Sequence, residues 1–589
     1  MTGPTYRNPV YPHSFPDPFV LKFQGEYWGY CTGLWHDGRV FGVVHSRDLV
    51  AWEDRSGAMA PLTADHPHYW APEVSYLDGR FYLYYSAGDE ERMEIRVAVA
   101  DRPAGPFVDS GRRLTREPFA IDAHVFAARD GSRWLFYATD FLDAAHVGTG
   151  TVRDRLLDPF TLAGDPRPVT LPRYDWHVYH PHRPEKGGVR WHTVEGPFVL
   201  EHKGLLYQMF SGGNWQNPTY GVSYATARSL EEPGEWEQAA DGARVLPILR
   251  SAGEVIGPGH NSVVRGPDNR QLYCVYHRWS PDVNARVMAI DPLDWAGERL
   301  LVLGPTTTPQ PAPNPPTLCD LPDAPVVLAA GEELRYEAGA SSFLVEVSAR
   351  AVGEPGEGGL GVVLFGAKGT LLHTPFRLEP SVRLIRFEAK TAGPATGVAL
   401  VAEGTAVELS GFALTVGWEE LFEEGTDPAA LGWEVLDDGG EWRIEGGELV
   451  GFSEMASTIS WIARGPALES YELVVNARLV DGSEDGFGIA PALDSGGAGP
   501  RLLLARQKPG DWALCAGEKI LPLPAAFDPF QYQQLRCRRD GTKVEIAWEG
   551  LHLGAVEVPP GPARIGLGAR GAAWFDAVRV TATPGWRGG

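Results

Sequence analysis

The chain is short of cysteine: five in 589 residues, Cys31, Cys274, Cys319, Cys515 and Cys537, far apart and without C-x-x-C spacing. An odd, scattered set argues against a disulfide framework and against a zinc site. Long apolar runs are also missing. No segment approaches about 18 continuous apolar residues, so no membrane-spanning helix is legible. Positive charge is the scarcer sign, with 52 Lys and Arg against 76 Asp and Glu and a formal charge of −24. Nucleic acid and anionic membrane surfaces need basic patches, so neither is an expected partner; a neutral ligand fits better. The opening "MTGPTYRNPVYPHSF" has no apolar stretch behind a basic one. No signal peptide is visible, and the chain as written is expected in the cytoplasm, or secreted if a leader has been trimmed.

What the chain has in abundance is turn formers and rings. It carries 70 Gly, 49 Pro and 19 Trp, with Gly and Pro above the roughly 7% and 5% of ordinary proteins. Leu/Ala/Glu helical runs are nearly absent, so the expected class is all-β, and the length calls for several domains. Abundant Trp and Tyr suit sugar binding, although most of these rings are expected to serve as strand formers.

Self-similarity organises the first 300 residues. "GEYWGYCTG" from Gly25, "GRFYLYYSAG" from Gly79, "GSRWLFYATD" from Gly131, "KGLLYQMFSGG" from Lys203 and "RQLYCVYHRW" from Arg270 are each a turn and an aromatic-rich strand. Each is preceded by a shorter apolar strand and followed by another strand. Five such units at intervals of roughly 50 to 75 residues predict a five-bladed β-propeller over residues 1–305. In a propeller the first strand of each blade lines the axis. Aligning these strands on their turns puts Asp17, Ala71, Asp122, Glu195 and His260 at equivalent places, within one residue. Glu73, two residues beyond Ala71, is expected on the same strand face, one layer displaced.

Carboxylates converging on a funnel with Trp and Tyr suggest glycoside hydrolysis. One carboxyl group must be protonated to give a proton to the leaving oxygen, and another must be ionised to attack carbon or activate water. Glu195, in "HTVEGPF" near Trp191, is the candidate for the raised pKa, and a neighbouring Asp122 would favour that protonation.

"SFPDPFV", "YWAPEVSYLDGRFYLYYS", "AIDAHVF", "HTVEGPFV", "GPGHNSVV" and "ARVMAIDPLDW" together resemble the landmarks of glycoside hydrolase family 43, over roughly residues 1–305. The resemblance implies a five-bladed propeller and an inverting mechanism, with Asp17 as general base, Glu195 as general acid and Asp122 tuning and orienting the acid. Inversion would ask for Asp17 and Glu195 roughly 6.5–9.5 Å apart. It further implies sugar contacts from Trp70 by stacking and from Arg286 by hydrogen bonding, with Trp215 as another platform. The alternatives are a hydrophobic plug for Trp70 and a salt bridge to a nearby acid for Arg286. His260 would lie on the axis beside an ion or water. No cofactor is required, and a structural calcium ion in the channel is the one ion considered, although a single imidazole is a poor calcium site. Glu73 stands where Asp is usual in the family, which is expected to alter hydrogen bonding near the sugar. His177, His180, His182 and His192 invite a metal reading, but a Pro- and Arg-rich loop over the mouth accounts for them equally well.

Beyond the propeller, residues 306–325 read as a stiff Pro-rich linker. Residues 326–416 read as a small β-sandwich, and residues 417–589 resemble a concanavalin/laminin-G-like sandwich. These could bind polysaccharide, shape a pocket wall or only stabilise the enzyme. The expected activity is exo-acting release of terminal α-L-arabinofuranosyl residues from plant oligosaccharides. β-D-Xylosidase comes next, followed by other activities of the same family such as β-galactofuranosidase or endo-arabinanase. A non-catalytic sugar-binding propeller is the alternative from a different class.

Overall fold

The computed structural model describes residues 4–240, 245–320, 324–352, 358–391, 394–437, 439–453, 458–480, 486–508 and 511–583. Residues 1–3, 321–323 and 584–589, which the expected domain limits include, lie outside the described residues. Strand dominates throughout, and among the described residues no helix is long and apolar enough to cross a membrane.

Up to Val302 the chain forms five sheets, antiparallel except for a parallel bridge between Gly148 and His192 in the third. Their inner strands are Phe19–Phe23, His68–Leu77, Ala120–Ala127, Val194–His202 and Gly259–Arg265, each paired to the aromatic-rich strand that follows. Five apolar clusters fill the spaces between consecutive sheets. Tyr30 and Phe81 belong to the first, Tyr84 and Tyr137 to the second, and Phe136 and Phe210 to the third. Tyr207 and Tyr276 join the fourth sheet to the fifth, and Tyr27 and Met288 join the fifth back to the first. The sheets therefore close into a ring, a β-propeller. Because each sheet is covered on both sides, strands such as Val40–Ser46 and Leu205–Gly212 are buried at every position. Closure is completed by the chain's own start. Tyr11–Ser14 pairs with Arg286–Ala296 in the fifth sheet, three residues before Asp17 opens the first.

Every inner strand begins with the same distortion. Asp17, Ala71, Asp122, Gly196 and His260 all have positive φ, between 44° and 61°. For a non-glycine residue this costs about 1–2 kcal/mol. Four of the five strands also shift register there, between Trp70 and Glu73, Ile121 and His124, Glu195 and Phe198, and Gly259 and Ser262. Bulges of this kind re-aim side chains at the rim of a sheet. The residues of this step in all five strands surround one narrow cavity on the axis, with Asp17, Asp122, Gly196 and His260 among its walls.

The C-terminal half is also strand. Within the expected linker, Gln310–Pro311 pairs with Thr5–Tyr6, and Leu318–Asp320 pairs with the strand Ala406–Glu420. That strand spans the expected boundary at 416/417. It pairs with Ser342–Val352 along most of its length and with Ala572–Ala582 at Gly417–Glu420. One twelve-stranded sheet therefore runs through both C-terminal regions, faced by a four-stranded and a seven-stranded sheet over one continuous core.

This half docks on the turns that end the inner strands. Lys203 donates to Asp576 at 2.6 Å, and Arg270 reaches Glu388 at 2.6 Å and the Gly417 carbonyl at 2.9 Å. Arg579 and Arg536 converge on Asp294 at 2.5 and 3.3 Å. From Glu195 to Lys203 the strand covers about 25 Å. The C-terminal sheets thus cover the end of the propeller opposite the acids, and among the described residues they contribute no wall to the axial cavity at the acid end.

Candidate active site

The five positive-φ steps hold one another in a ring. The N–H of Ala71 donates to Thr32 Oγ1 at 2.8 Å, that of Asp122 to Ser86 Oγ at 3.0 Å, and that of His260 to Ser211 Oγ at 2.7 Å. The N–H of Asp17 points at His277 Nδ1 at 3.2 Å, which closes the circle from the fifth sheet to the first. Each acceptor sits at the end of the preceding sheet's second strand. At the remaining step Thr139 occupies that place, but its hydroxyl donates to the Phe119 carbonyl. The N–H of Gly196 goes instead to Asp122 Oδ2, at 3.0 Å.

Asp17 is gripped from several sides. Arg286 reaches Oδ1 at 2.8 Å and the Thr32 hydroxyl donates to Oδ2 at 2.6 Å. His277 Nδ1 lies 3.2 Å and His260 Nδ1 3.6 Å from Oδ1. Burial alone would raise this carboxyl, but Arg286, His260 and His277 outweigh it and hold Asp17 well below the usual carboxylate range. Opposite charges and hydrogen bonds to the ionised form act in that direction.

Glu195 is treated differently. Burial pushes it up to about 7, with the charge of Asp17 adding to the rise, against a hydrogen bond from Tyr220 and the charges of Arg286 and Arg183. The Tyr220 hydroxyl donates to Oε1 at 2.7 Å, and its ring lies parallel to that of His277, 5.7 Å between centroids. Asp122 is also raised, first by burial and then by the charges of Glu195 and Asp17. Asp122 and Glu195 together therefore keep a proton that isolated carboxyls would lose, while Asp17 stays ionised.

The sequence alignment holds for Asp17, Ala71, Asp122 and His260 and is one residue off for the fourth strand. Gly196 occupies the shared position, and Glu195 stands immediately ahead of it. Glu73 lines the same axial cavity, one layer from Ala71. Its carboxylate reaches away to the third sheet, contacting His124 Nδ1 at 2.9 Å and accepting from the Val125 N–H at 2.8 Å. His124 Nε2 in turn accepts from the Val199 N–H at 3.0 Å. Glu73 and His124 thus tie the second, third and fourth inner strands together one layer below the acids.

Arg286 makes the ion pair considered for it, and the acid is Asp17. Trp215 lies over the guanidinium at 4.4 Å and stacks on Trp279 at 6.1 Å, so the two rings and the arginine form a ladder ending at Asp17. Trp70 is half-buried against the cluster of Met93, Ile121 and Ala138, next to the residue that precedes Asp122. The loop histidines are engaged locally. His177 Nδ1 accepts from the Arg173 N–H and His180 Nδ1 from the His182 N–H, each at 3.0 Å, and His192 Nδ1 faces the Val147 carbonyl at the same distance. Arg183 from this loop covers the rings of Tyr179 and Trp191 at 5.0 and 5.1 Å.

Among the described residues no group of three His, Cys, Asp or Glu side chains has metal-holding geometry. His260 offers one ring nitrogen beside an aspartate whose two oxygens are committed to Arg286 and Thr32. That is not the oxygen-rich set calcium takes.

Sequence reasoning missed Thr32, Ser86, Ser211, His277 and Tyr220. For the first four a signal existed. The second strands end in "YCT", "YYS", "YAT", "MFS" and "VYH", which put a hydrogen-bonding side chain at one register position in all five.

The family description "Glycosyl hydrolases family 43" matches residues 6–299. A thermostable family-43 glycoside hydrolase of known crystal structure is 32% identical, with 99% of its chain and 52% of this one covered and a TM-score of 0.46. The chain belongs to glycosyl hydrolase family 43 and is a glycoside hydrolase. It is 29% identical over 291 residues to the β-D-galactofuranosidase xynD of Aspergillus niger, covering 46% of this chain and 76% of that one. It is 27% identical over 293 residues to the extracellular exo-α-(1→5)-L-arabinofuranosidase of Streptomyces chartreusis, covering 46% and 82%.

Proposed function

We propose that the protein is an inverting, exo-acting furanosidase that releases terminal α-L-arabinofuranosyl residues from plant-derived oligosaccharides. Asp17 is the general base that activates water, Glu195 the general acid, and Asp122 the residue that keeps Glu195 protonated and oriented. The observation that carries this reading is the opposite treatment of a buried and a half-buried acid around one axis. Asp17 is held ionised by Arg286 and Thr32, while Glu195 is pushed up to about 7. A base and an acid of one reaction need that separation.

In the proposed step Asp17 removes a proton from water as the water attacks the anomeric carbon. Glu195 gives its proton to the leaving oxygen, and the bond between that oxygen and the anomeric carbon breaks. Arg286, braced by Trp215, fixes Asp17 and presents its remaining donors to sugar hydroxyls. The loop that carries Tyr179 and Arg183 leads through Val189–His192 into the Glu195 strand, and the charge of Arg183 acts on Glu195. The exo-arabinofuranosidase relative supports the substrate assignment. The galactofuranosidase relative supports a second reading, in which the terminal sugar is β-D-galactofuranose.

The test is a parallel screen of aryl α-L-arabinofuranoside, β-D-galactofuranoside and β-D-xyloside, with proton NMR following the first anomer released. Preference for the arabinofuranoside with initial release of the β-anomer is expected, and Glu195→Gln and Asp17→Asn are expected to lose activity. A retained anomer would overturn inversion. A preferred xyloside would overturn the furanosidase assignment.

A further inference from the structure

We propose that Thr32 is a positioning residue for Asp17, with its hydroxyl pinned to the second sheet by one hydrogen bond and aimed at the carboxylate by another. The inference rests on the reading of Asp17 as the base. Thr32 Oγ1 lies 2.8 Å from the Ala71 nitrogen and 2.6 Å from Asp17 Oδ2. A backbone N–H can only donate, so Ala71 takes a lone pair of the hydroxyl. The single hydroxyl proton is then left for the carboxylate. Both bond directions are fixed by this arithmetic.

The comparison within the ring isolates what is particular to Thr32. Ser86 and Ser211 accept an N–H from the next sheet in the same way, but neither donates to an acid among the described residues. Accepting the N–H is thus a property of the fold, and giving a proton to a carboxylate belongs to Thr32. Arg286, from the fifth sheet, holds the other oxygen of Asp17 at 2.8 Å. With one oxygen fixed from each side the carboxylate cannot turn, and the lone pair that must meet water keeps one direction. A preorganised base of this kind loses rate when its support is removed, even though substrate still binds.

The experiment compares Thr32→Val, which keeps the volume and loses the hydroxyl, with Thr32→Ser, which restores it. The readout is the pH profile of kcat/KM on the aryl glycoside cleaved fastest by the parent enzyme. Losing a donor to the ionised form raises a carboxyl, so the acidic limb in Thr32→Val is expected to move up by about one unit. kcat is expected to fall about tenfold, with KM changed less than about twofold. Thr32→Ser is expected to return both to the parent values. Ser211→Ala loses an N–H acceptor of the same kind without touching an acid, and its acidic limb is expected to stay in place. If Thr32→Val does not fold, Thr32→Cys supplies the weaker donor and a smaller shift in the same direction. A folded Val or Cys variant with the parent's acidic limb overturns the proposal. Full activity in Asp17→Asn would instead overturn the reading of Asp17 as base, so the two failures are distinguishable.

Discussion

The Gly196 N–H donates to Asp122 Oδ2 at 3.0 Å, and this is the one link of the positive-φ ring made by a carboxylate. It ties Asp122 to the residue next to Glu195, and the charge of Glu195 is one of the causes that raise Asp122. Asp122→Asn keeps an oxygen to accept that N–H but removes the ionisable carboxyl. Glu195 is then expected to lose its proton more readily. The basic limb of kcat/KM should move down by about half a unit to one unit, as measured on an aryl glycoside from pH 4 to 9. An unmoved limb would separate Asp122 from the ionisation of Glu195.

Tyr220→Phe should move the same limb the other way. The phenol donates to Glu195 Oε1 at 2.7 Å and favours the ionised form. Without it the carboxyl rises above about 7, and the limb is expected to shift up by roughly one unit. Opposite shifts in these two variants, read in the same buffers, would assign the limb to Glu195. Equal shifts would not.

Glu195→Gln should be more stable than the parent at alkaline pH. The parent carboxyl has a folded value of about 7 against 4.5 when unfolded. In the unfolded chain it ionises freely above 4.5, while in the folded protein it resists. The parent therefore loses stability as pH rises from about 4.5 to 7, and an uncharged amide does not. The difference in melting temperature should be near zero at pH 4, grow through that window and level off above pH 7 at a few degrees. A constant difference across pH would contradict the assigned shift.

Asp294→Ala tests the seam between the two halves. The carboxylate is buried, meets both Arg579 and Arg536, and is held below its usual range despite burial because of those two cations. Its removal leaves two cations without their shared partner, at a cost of about 3 kcal/mol. The expected result is a lower urea midpoint, with kcat/KM at 25 °C nearly unchanged because the seam lies at the far end from the acids.

Much of this site was legible because the acids repeat in register. "DPF", "APE", "DAH", "GPF" and "HNS" open the five inner strands, and all five first letters share one backbone position. The fourth strand misled by one residue because a bulge makes spacing from the turn ambiguous: Gly196, not Glu195, takes the left-handed step. Glu73 lines the axial cavity with Ala71, and what alternation could not supply was its partner, His124 of the third sheet. The hydroxyl ring went unread because strands buried on both faces show no alternation, and one Ser or Thr at a strand end resembles any other. The run from Ala406 to Glu420 was divided because a period-2 pattern does not say which partner a strand pairs with.

The strand Tyr11–Ser14 has a mechanical consequence. It is the stitch that fastens the last sheet to the first, and Ser14 lies three residues from Asp17 while pairing with Val287, the neighbour of Arg286. Peeling this seam would part the carboxylate from its guanidinium before any other sheet came loose. Heat, force or a bulky fusion at the amino end should thus silence turnover while most of the ring still stands.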